Sequence, residues 1–242
     1  MIKRILTVFI CFLIHLWSLS TAQSILVEYE RRQTVESSSD LVSITEVWIT
    51  DSITTNRGNA AVVKKTSFVK KKKEGWVYDS QYAFGKNIPT KDSLHTFQWE
   101  LLPDTVTILK YKCLSAKMTF RGRTYKVFYA PAIPISDGPW KLGGLPGLIL
   151  EAKTIDNYMS WRAIKLDLNY KGKIDYVDVT KENYLTWAEL VVKYKEIADK
   201  SIKAMHARLE TEQLKQGKFI HKVPTLEIIY PQLNIEGIKV GN

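Results

Sequence analysis

Hydrophobic and polar residues alternate over much of the first two thirds of the chain, and this two-residue period predicts β-strands. Residues 25–29 form a short run of β-prone residues, and residues 41–50 alternate between two faces. Residues 60–69 and 75–82 flank a group of lysines and predict a hairpin, whose charged tip would discourage pairing with other sheet edges. This part of the chain is therefore predicted to form a sheet of short strands.

The clearest hairpin covers residues 111–130. Residues 111–120 alternate strictly, which places Cys113 on the less apolar face of the strand. The turn falls at Gly122, because glycine accepts the positive φ of a tight hairpin turn, and the chain returns through residues 123–130. Further strands are predicted at residues 148–152, 159–168 and 174–179.

The last third of the chain changes to a helical period. Thr186 and Glu189 form a capping box, in which each side chain bonds the backbone N–H of the other residue. The apolar residues that follow recur with helical spacing, and Gly217 is a natural terminator. We therefore predict one amphipathic helix over about 187–216, followed by a last strand at 226–230.

Strands followed by a single long helix indicate the α+β class. The predicted architecture is a mostly antiparallel, curved sheet with the long C-terminal amphipathic helix packed on it, and the alternative is a β-sandwich with an appended helix. Because no repeat or low-complexity linker divides the chain, residues 23–242 are predicted to form a single domain. Residues 131–147 hold four of the eight prolines and four of the twelve glycines, and this density predicts a long irregular loop.

The N-terminus has the layout of a secretory signal peptide. Lys3 and Arg4 precede an apolar run over residues 5–19, and small residues lead up to a cleavage site after Ala22. The run is shorter than the roughly 20 residues that a membrane anchor needs, although an anchor is the alternative. We therefore predict that residues 1–22 are removed, and that the mature chain is exported without a transmembrane segment. Its predicted location is the periplasm or the extracellular space, with association with the outer membrane as an option.

Composition fits an ordinary globular protein with a positive charge excess. The 242 residues include 35 Lys and Arg against 25 Asp and Glu, and removal of the predicted signal peptide leaves 33 − 25 = +8. The densest positive groups are Lys64-Lys65 and residues 70–73. A solvated hairpin tip is the favoured interpretation, and the alternative is a partner such as acidic lipid headgroups, glycans or an acidic protein surface. Nucleic acid is not a predicted partner, because an exported chain rarely meets it.

Few side chains suggest catalytic chemistry. Cys113 is the one cysteine of the predicted mature chain, and no histidine has a motif that would activate it as a nucleophile. Arg121 and Arg123 flank the hairpin glycine Gly122, and together they could clamp a carboxylate or phosphate. They could equally be exposed tip charges, or one could be buried against a carboxylate. We predict no catalytic residue, no metal site and no cofactor, since no histidines stand at metal-ligand spacing.

The glycine-rich run over residues 143–147 is not a phosphate-binding loop. No Lys-Ser or Lys-Thr follows it, and it leads into a strand instead of a helix N-terminus. Its glycines predict a place where backbone passes close to another part of the molecule. The neighbouring Trp140, Leu142 and Leu145 are predicted to be partly exposed, so that the loop could also be a docking surface.

Residues 136–149 resemble the GLPGLI family, which is named for the six residues that stand here as Gly144 to Ile149. Upstream, Trp99, the Tyr-Lys-Cys step ending at Cys113 and the segment 120–123 resemble the family pattern in the same order. The resemblance implies an exported Bacteroidota protein and supplies no catalytic residues. The family-motif or candidate binding residues are Cys113, Arg121, Gly122, Arg123, Gly138, Pro139, Trp140, Gly143, Gly144, Leu145, Pro146, Gly147, Leu148 and Ile149.

Two functional hypotheses follow. In the first, the chain is a non-enzymatic binding, carrier or adaptor protein of the cell envelope. An aromatic-lined sheet face would bind an apolar small molecule or an outer-membrane protein partner, and residues 131–147 would gate or dock it. In the second, the chain is an enzyme that acts on an anionic substrate through Cys113 or through Arg121 and Arg123. The lack of an acid–base or metal motif favours the first hypothesis.

Overall fold

Strands make up most of the computed structural model, which describes residues 24–34, 39–59, 68–83, 86–174, 176 and 178–208. In this part of the chain the strands are β1 (Ile25–Gln33), β2 (Leu41–Ile49), β3 (Ile53–Asn59), β4 (Val69–Lys71), β5 (Trp76–Ala83), β6 (Lys86–Ser93), β7 (Glu100–Ile108), β8 (Tyr111–Phe120), β9 (Arg123–Ala130), β10 (Leu148–Thr154), β11 (Met159–Asp167) and β12 (Leu185–Thr186). One helix is described, α1 (Trp187–Arg208). The predicted signal peptide 1–22 and the predicted strand 226–230 lie outside the described residues.

All twelve described strands belong to one sheet, in the order β12-β6-β5-β4-β3-β2-β1-β11-β10-β9-β8-β7. Neighbouring strands are antiparallel except β12, which lies parallel to β6. The first strand lies inside the sheet, where Val27 pairs with Val47 of β2 and Leu166 of β11. Because β1 joins the early strands to the late ones, one sheet contains elements from both halves of the chain.

The main hydrophobic core lies on one face of this sheet, which we call the inner face. Alternate residues of the central strand, such as Ile25, Val27 and Tyr29, are buried there, as the two-residue period of a strand requires. The predicted hairpin at 111–130 is confirmed as β8 and β9, with positive φ at both turn residues. The strand predicted at 174–179 is wrong for its described residues, which carry no regular structure.

The predicted α+β class is wrong, because the described chain is predominantly β. Its helix is described over 187–208 and packs through a small cluster in which Leu190 and Tyr194 meet Ile88 of β6. This cluster is separate from the main core, and outward residues such as Val192 stay 59% exposed. The physical reason is that another part of the chain, described below, covers the inner face. None of the described helices is both long and apolar enough to span a bilayer.

Candidate functional site

The loop between β9 and β10, residues 131–147, folds against the inner face, and we call it the inner segment. Trp140, Leu142 and Leu145 are 5%, 0% and 3% exposed, so the predicted partial exposure of these side chains is wrong. The Trp140 indole stacks on Trp161, with ring centroids 6.4 Å apart, and on Tyr125 at 5.9 Å. The inner segment therefore completes the core and does not present these three side chains for docking.

A buried carboxylate ties the inner segment to β3 and β4. Lys70 Nζ donates to Asp137 Oδ1 at 2.7 Å, and Lys72 Nζ lies 2.8 Å from Oδ2. The Thr54 hydroxyl donates to the same Oδ2 at 2.5 Å. Burial would raise the pKa of Asp137, but the charges of the two lysines outweigh it and lower the pKa to about 2. The carboxylate is thus ionised and fully engaged by the protein itself.

In a second buried ion cluster the inner segment supplies the cation and the sheet supplies the carboxylate. Lys141 Nζ of the inner segment lies 3.0 Å from Asp92 Oδ2 of β6. Arg121 also binds Asp92 at 2.7 Å, and His95 Nε2 lies 3.2 Å from it. Burial raises the pKa of the Asp92 carboxyl, but hydrogen bonds from His95 and Arg121 and the charge of Lys141 hold it well below its usual range. Trp140 Nε1 also donates a hydrogen bond to Asp79 Oδ2 at 3.0 Å.

The sequence did not identify Lys70 or Asp137 as important residues. The lysine group over 70–73 was predicted to be a solvated tip or a binding patch, yet Lys70 is 3% exposed and donates to three acceptors inside the molecule. Strand alternation is the signal that separates these lysines, because it turns Lys70 inward and Lys71 outward. Part of the charge excess therefore stabilises the inner segment.

The two arginines, for which the sequence left open either an anion clamp or an internal carboxylate partner, bind different carboxylates of the protein. Arg121 pairs with Asp92, and its guanidinium lies 3.5 Å from the ring centroid of Trp187 at the start of α1. Arg123 pairs with Asp156. The structure therefore separates the two guanidinium groups and gives each an internal partner.

Cys113 is completely buried, and its Sγ donates to the carbonyl oxygen of Tyr111 at 3.4 Å. Burial raises the pKa of the thiol, which disfavours the reactive thiolate. Within the described residues no group of three His, Cys, Asp or Glu side chains could hold a metal ion. The one nucleophile that the sequence suggested is therefore closed off from solvent in the folded chain.

The family-motif residues after Asp137 have a structural role in backbone packing. A Cβ on Gly138 would lie 2.8 Å from the Ile149 Cβ, and a Cβ on Gly147 would lie 2.4 Å from the Ala130 carbonyl oxygen. Leu148 and Ile149 are fully buried. The close backbone approach predicted for this run is confirmed. The other motif residues of the inner segment are Pro139, Gly143, Gly144 and Pro146.

The opposite, outer face of β4 to β6 carries half-buried rings and lysines, which we call the lysine–aromatic face: Lys71, Trp76, Tyr78, Lys91 and Tyr184. Sheet pairing places Lys71 opposite Trp76 and Tyr78 opposite Lys91. The Lys91 ammonium lies 4.4 Å from the Trp76 ring centroid, and the Lys71 ammonium lies 5.8 Å from that of Tyr78. Tyr184 packs edge-on against Tyr78 at 5.0 Å, next to β12.

These features define a β-rich domain whose buried charges hold its own inner segment, and whose outer face carries rings and cations. The family model described as "N-glycanase peptide, N-terminal domain" matches residues 27–196, and the chain belongs to this family. No curated protein matches the chain. No comparison bears on the resemblance to the GLPGLI family, which stays a prediction.

Solved structures give more distant similarities. The structure of PNGF-II in space group C2 is 19% identical with a TM-score of 0.46, over 72% of this chain and 32% of that one. The structure of PNGF-II in space group P21 is 19% identical with a TM-score of 0.44, over 68% and 31%. A LolA superfamily protein, NE2245 from Nitrosomonas europaea, is 10% identical with a TM-score of 0.27, over 60% and 69%. The chain spans about a third of the length of the PNGF-II chains that it matches.

Proposed function

We propose that this chain is an exported, non-enzymatic carbohydrate-binding domain that binds glycans on the lysine–aromatic face. Membership of a family described as an N-glycanase N-terminal domain relates the chain to glycan-processing proteins. The proposal for export rests on the predicted signal peptide at residues 1–22, which lies outside the described residues. The resemblance to the exported GLPGLI family points the same way.

The observation that carries the proposal is the juxtaposition of Trp76, Tyr78 and Tyr184 with Lys71 and Lys91 on one face. Trp76 and Tyr78 lie two residues apart on β5 and therefore face the same side of the sheet, and Tyr184 packs against Tyr78 from just before β12, so the face extends over several rings. A pyranose presents C–H groups on one face and hydroxyls at its rim. Aromatic rings offer a flat apolar surface to the C–H groups, and lysine ammonium groups donate hydrogen bonds to the hydroxyls.

The other predicted functions find less support in the site geometry. An apolar ligand on the inner face would have to displace Trp140, Leu142 and Leu145, which are buried there. An enzyme that used Cys113 would need a thiol accessible to substrate, and this thiol is fully buried. Binding on the outer face requires neither change.

The test is an isothermal titration calorimetry experiment on the chain, purified after export, with N-glycans released from a glycoprotein. We expect saturable binding that Trp76→Ala weakens at least tenfold. Tyr176→Ala is the matched control, because Tyr176 is 54% exposed and lies outside the lysine–aromatic face. Failure of every released N-glycan to bind would refute the proposal. Equal loss of binding in both variants would show that the effect is not specific to this face.

A further inference from the structure

We propose further that the lysine–aromatic face selects acidic saccharides, which carry a carboxylate, over neutral ones of the same backbone. This inference rests on the proposed function and names the class of its ligand. It begins from Lys91, whose ammonium lies over the Trp76 ring and forms no ion pair within 4.0 Å among the described residues. Among the described residues, Lys91 is therefore a cation of the proposed binding face that contacts the Trp76 ring and has no carboxylate within ion-pair distance.

The ring is a weaker partner for this ammonium than a ligand carboxylate would be. A charge-assisted hydrogen bond to a carboxylate is stronger than an exposed cation–π contact. The lysine stem is flexible, so Lys91 can turn from the Trp76 ring to a carboxylate on the ligand. That movement would also uncover the indole face for the C–H groups of the sugar. A neutral saccharide offers the ammonium no carboxylate, so the ammonium stays over the Trp76 ring. The saccharide must then compete with Lys91 for that ring.

Glu74 and Glu189, the acidic side chains that interact with the two lysines of the face, leave this exchange open, and Glu182 and Asp178 lie near Tyr184 at its other end. Glu74 binds Lys71 at 3.0 Å, but Glu74 is 52% exposed, and such a surface pair contributes little in water. The Thr186 backbone N–H donates to Glu189 at 2.7 Å and is the main reason that the pKa of Glu189 is lowered, to which the charge of Lys91 adds a smaller effect. Lys73 is exposed in the adjoining turn and adds a further positive charge.

The experiment compares one sialylated biantennary N-glycan with the same glycan after sialidase treatment, titrated into the chain purified after export. We expect the sialylated glycan to bind at least tenfold more tightly, with an advantage that falls as salt concentration rises. Lys91→Gln should remove most of this difference. Lys112→Gln, which changes an exposed lysine on β8, should retain it. Circular dichroism of each variant checks that the fold is intact.

The outcomes separate the two proposals. Equal affinity for the two glycans would overturn this inference and leave the proposed function standing. No binding of either glycan would overturn both. A single-stranded oligonucleotide of similar charge that binds as tightly as the sialylated glycan would show contact through charge alone, which also overturns the inference.

Discussion

The ion cluster at Asp137 gives the sharpest test of how the inner segment is held. We consider Asp137→Asn, which keeps the size of the side chain and removes its charge. Asp137 accepts hydrogen bonds from Lys70, from the Thr54 hydroxyl and from the Gly138 N–H, and it also pairs with Lys72. The asparagine amide is neutral and retains one acceptor oxygen, so both lysines would lose their anionic partner and at least one of these hydrogen bonds would be lost.

The expected cost follows from the burial of these partners. Removing one member of a buried ion pair costs about 3–5 kcal/mol, because the remaining charge is left uncompensated. The Lys70 side chain is buried and cannot reach water without local opening, whereas the Lys72 side chain is 26% exposed and can turn to solvent. We therefore expect a loss of about 3 kcal/mol in the free energy of unfolding, at the low end of that range.

Urea unfolding at neutral pH measures this loss, and Glu46→Gln is the matched control. Glu46 pairs with Arg57 at 2.8 Å on the surface, where the arginine is 58% exposed, so the control should cost less than about 1 kcal/mol. In a double-mutant cycle, Lys70→Met combined with Asp137→Asn should cost less than the sum of the single changes. Additive costs, or a loss below about 1 kcal/mol for Asp137→Asn alone, would refute the reasoning.

Three further predictions concern pH, backbone packing and the thiol. Because the folded-state pKa of Asp137 is lowered to about 2, its contribution to stability is present above about pH 4 and is lost as pH falls toward 2; urea midpoints measured from pH 5 to pH 2 should therefore decrease. Gly147→Ala should cost about 1–3 kcal/mol, because its Cβ would meet the Ala130 carbonyl oxygen, whereas Gly143→Ala, with 3.4 Å to its nearest neighbour, should cost less; comparable thermal unfolding would contradict this. Cys113 should react with a thiol reagent only after denaturation, and rapid labelling of the folded chain would contradict its burial.

The sequence predicted correctly those features that depend on contacts between neighbouring residues. The alternation over 111–130 and its turn glycine specified β8 and β9. The capping box also formed: the Thr186 backbone N–H donates to Glu189 Oε2 at 2.7 Å, and the Glu189 N–H donates to the Thr186 hydroxyl at 3.4 Å. These features depend on contacts between residues close in sequence, so they need no knowledge of the sheet.

The strands β6 and β7 could not be predicted in this way, because their sequences argue against strands. Pro89 lies in β6 and Pro103 in β7, and both strands contain many polar residues. Proline is tolerated at a sheet edge, where its missing N–H leaves no ladder bond unmade. β7 is an edge strand, and β6 is covered on one side by the two-residue β12 alone. β6 adopts strand conformation because it pairs with β5, and β7 because it pairs with β8. A local sequence pattern does not contain this pairing information.

The inner segment shows a different limit of prediction from the local sequence. The density of proline and glycine over 131–147 predicted irregular backbone, but such a pattern carries no information about which side of a sheet the segment occupies. A buried irregular segment must satisfy its polar backbone groups. Here the Lys70 ammonium accomplishes part of this, since it donates to the carbonyl oxygens of Gly138 and Leu142 at 3.0 and 2.7 Å. The residue that makes burial possible lies more than sixty positions away.

The same lysine shows that a high local density of charge does not by itself indicate a binding surface. The run at 70–73 has the highest local density of lysine among the described residues, yet the Lys70 ammonium is occupied by three internal acceptors. Lys91 stands apart from that run and faces outward beside Trp76. Strand alternation is the reason, because it decides whether a lysine points to the inner or the outer face of the sheet. The direction of a strand residue therefore separates internally paired lysines such as Lys70 from lysines on the outer face such as Lys91, which the number of lysines in the sequence does not.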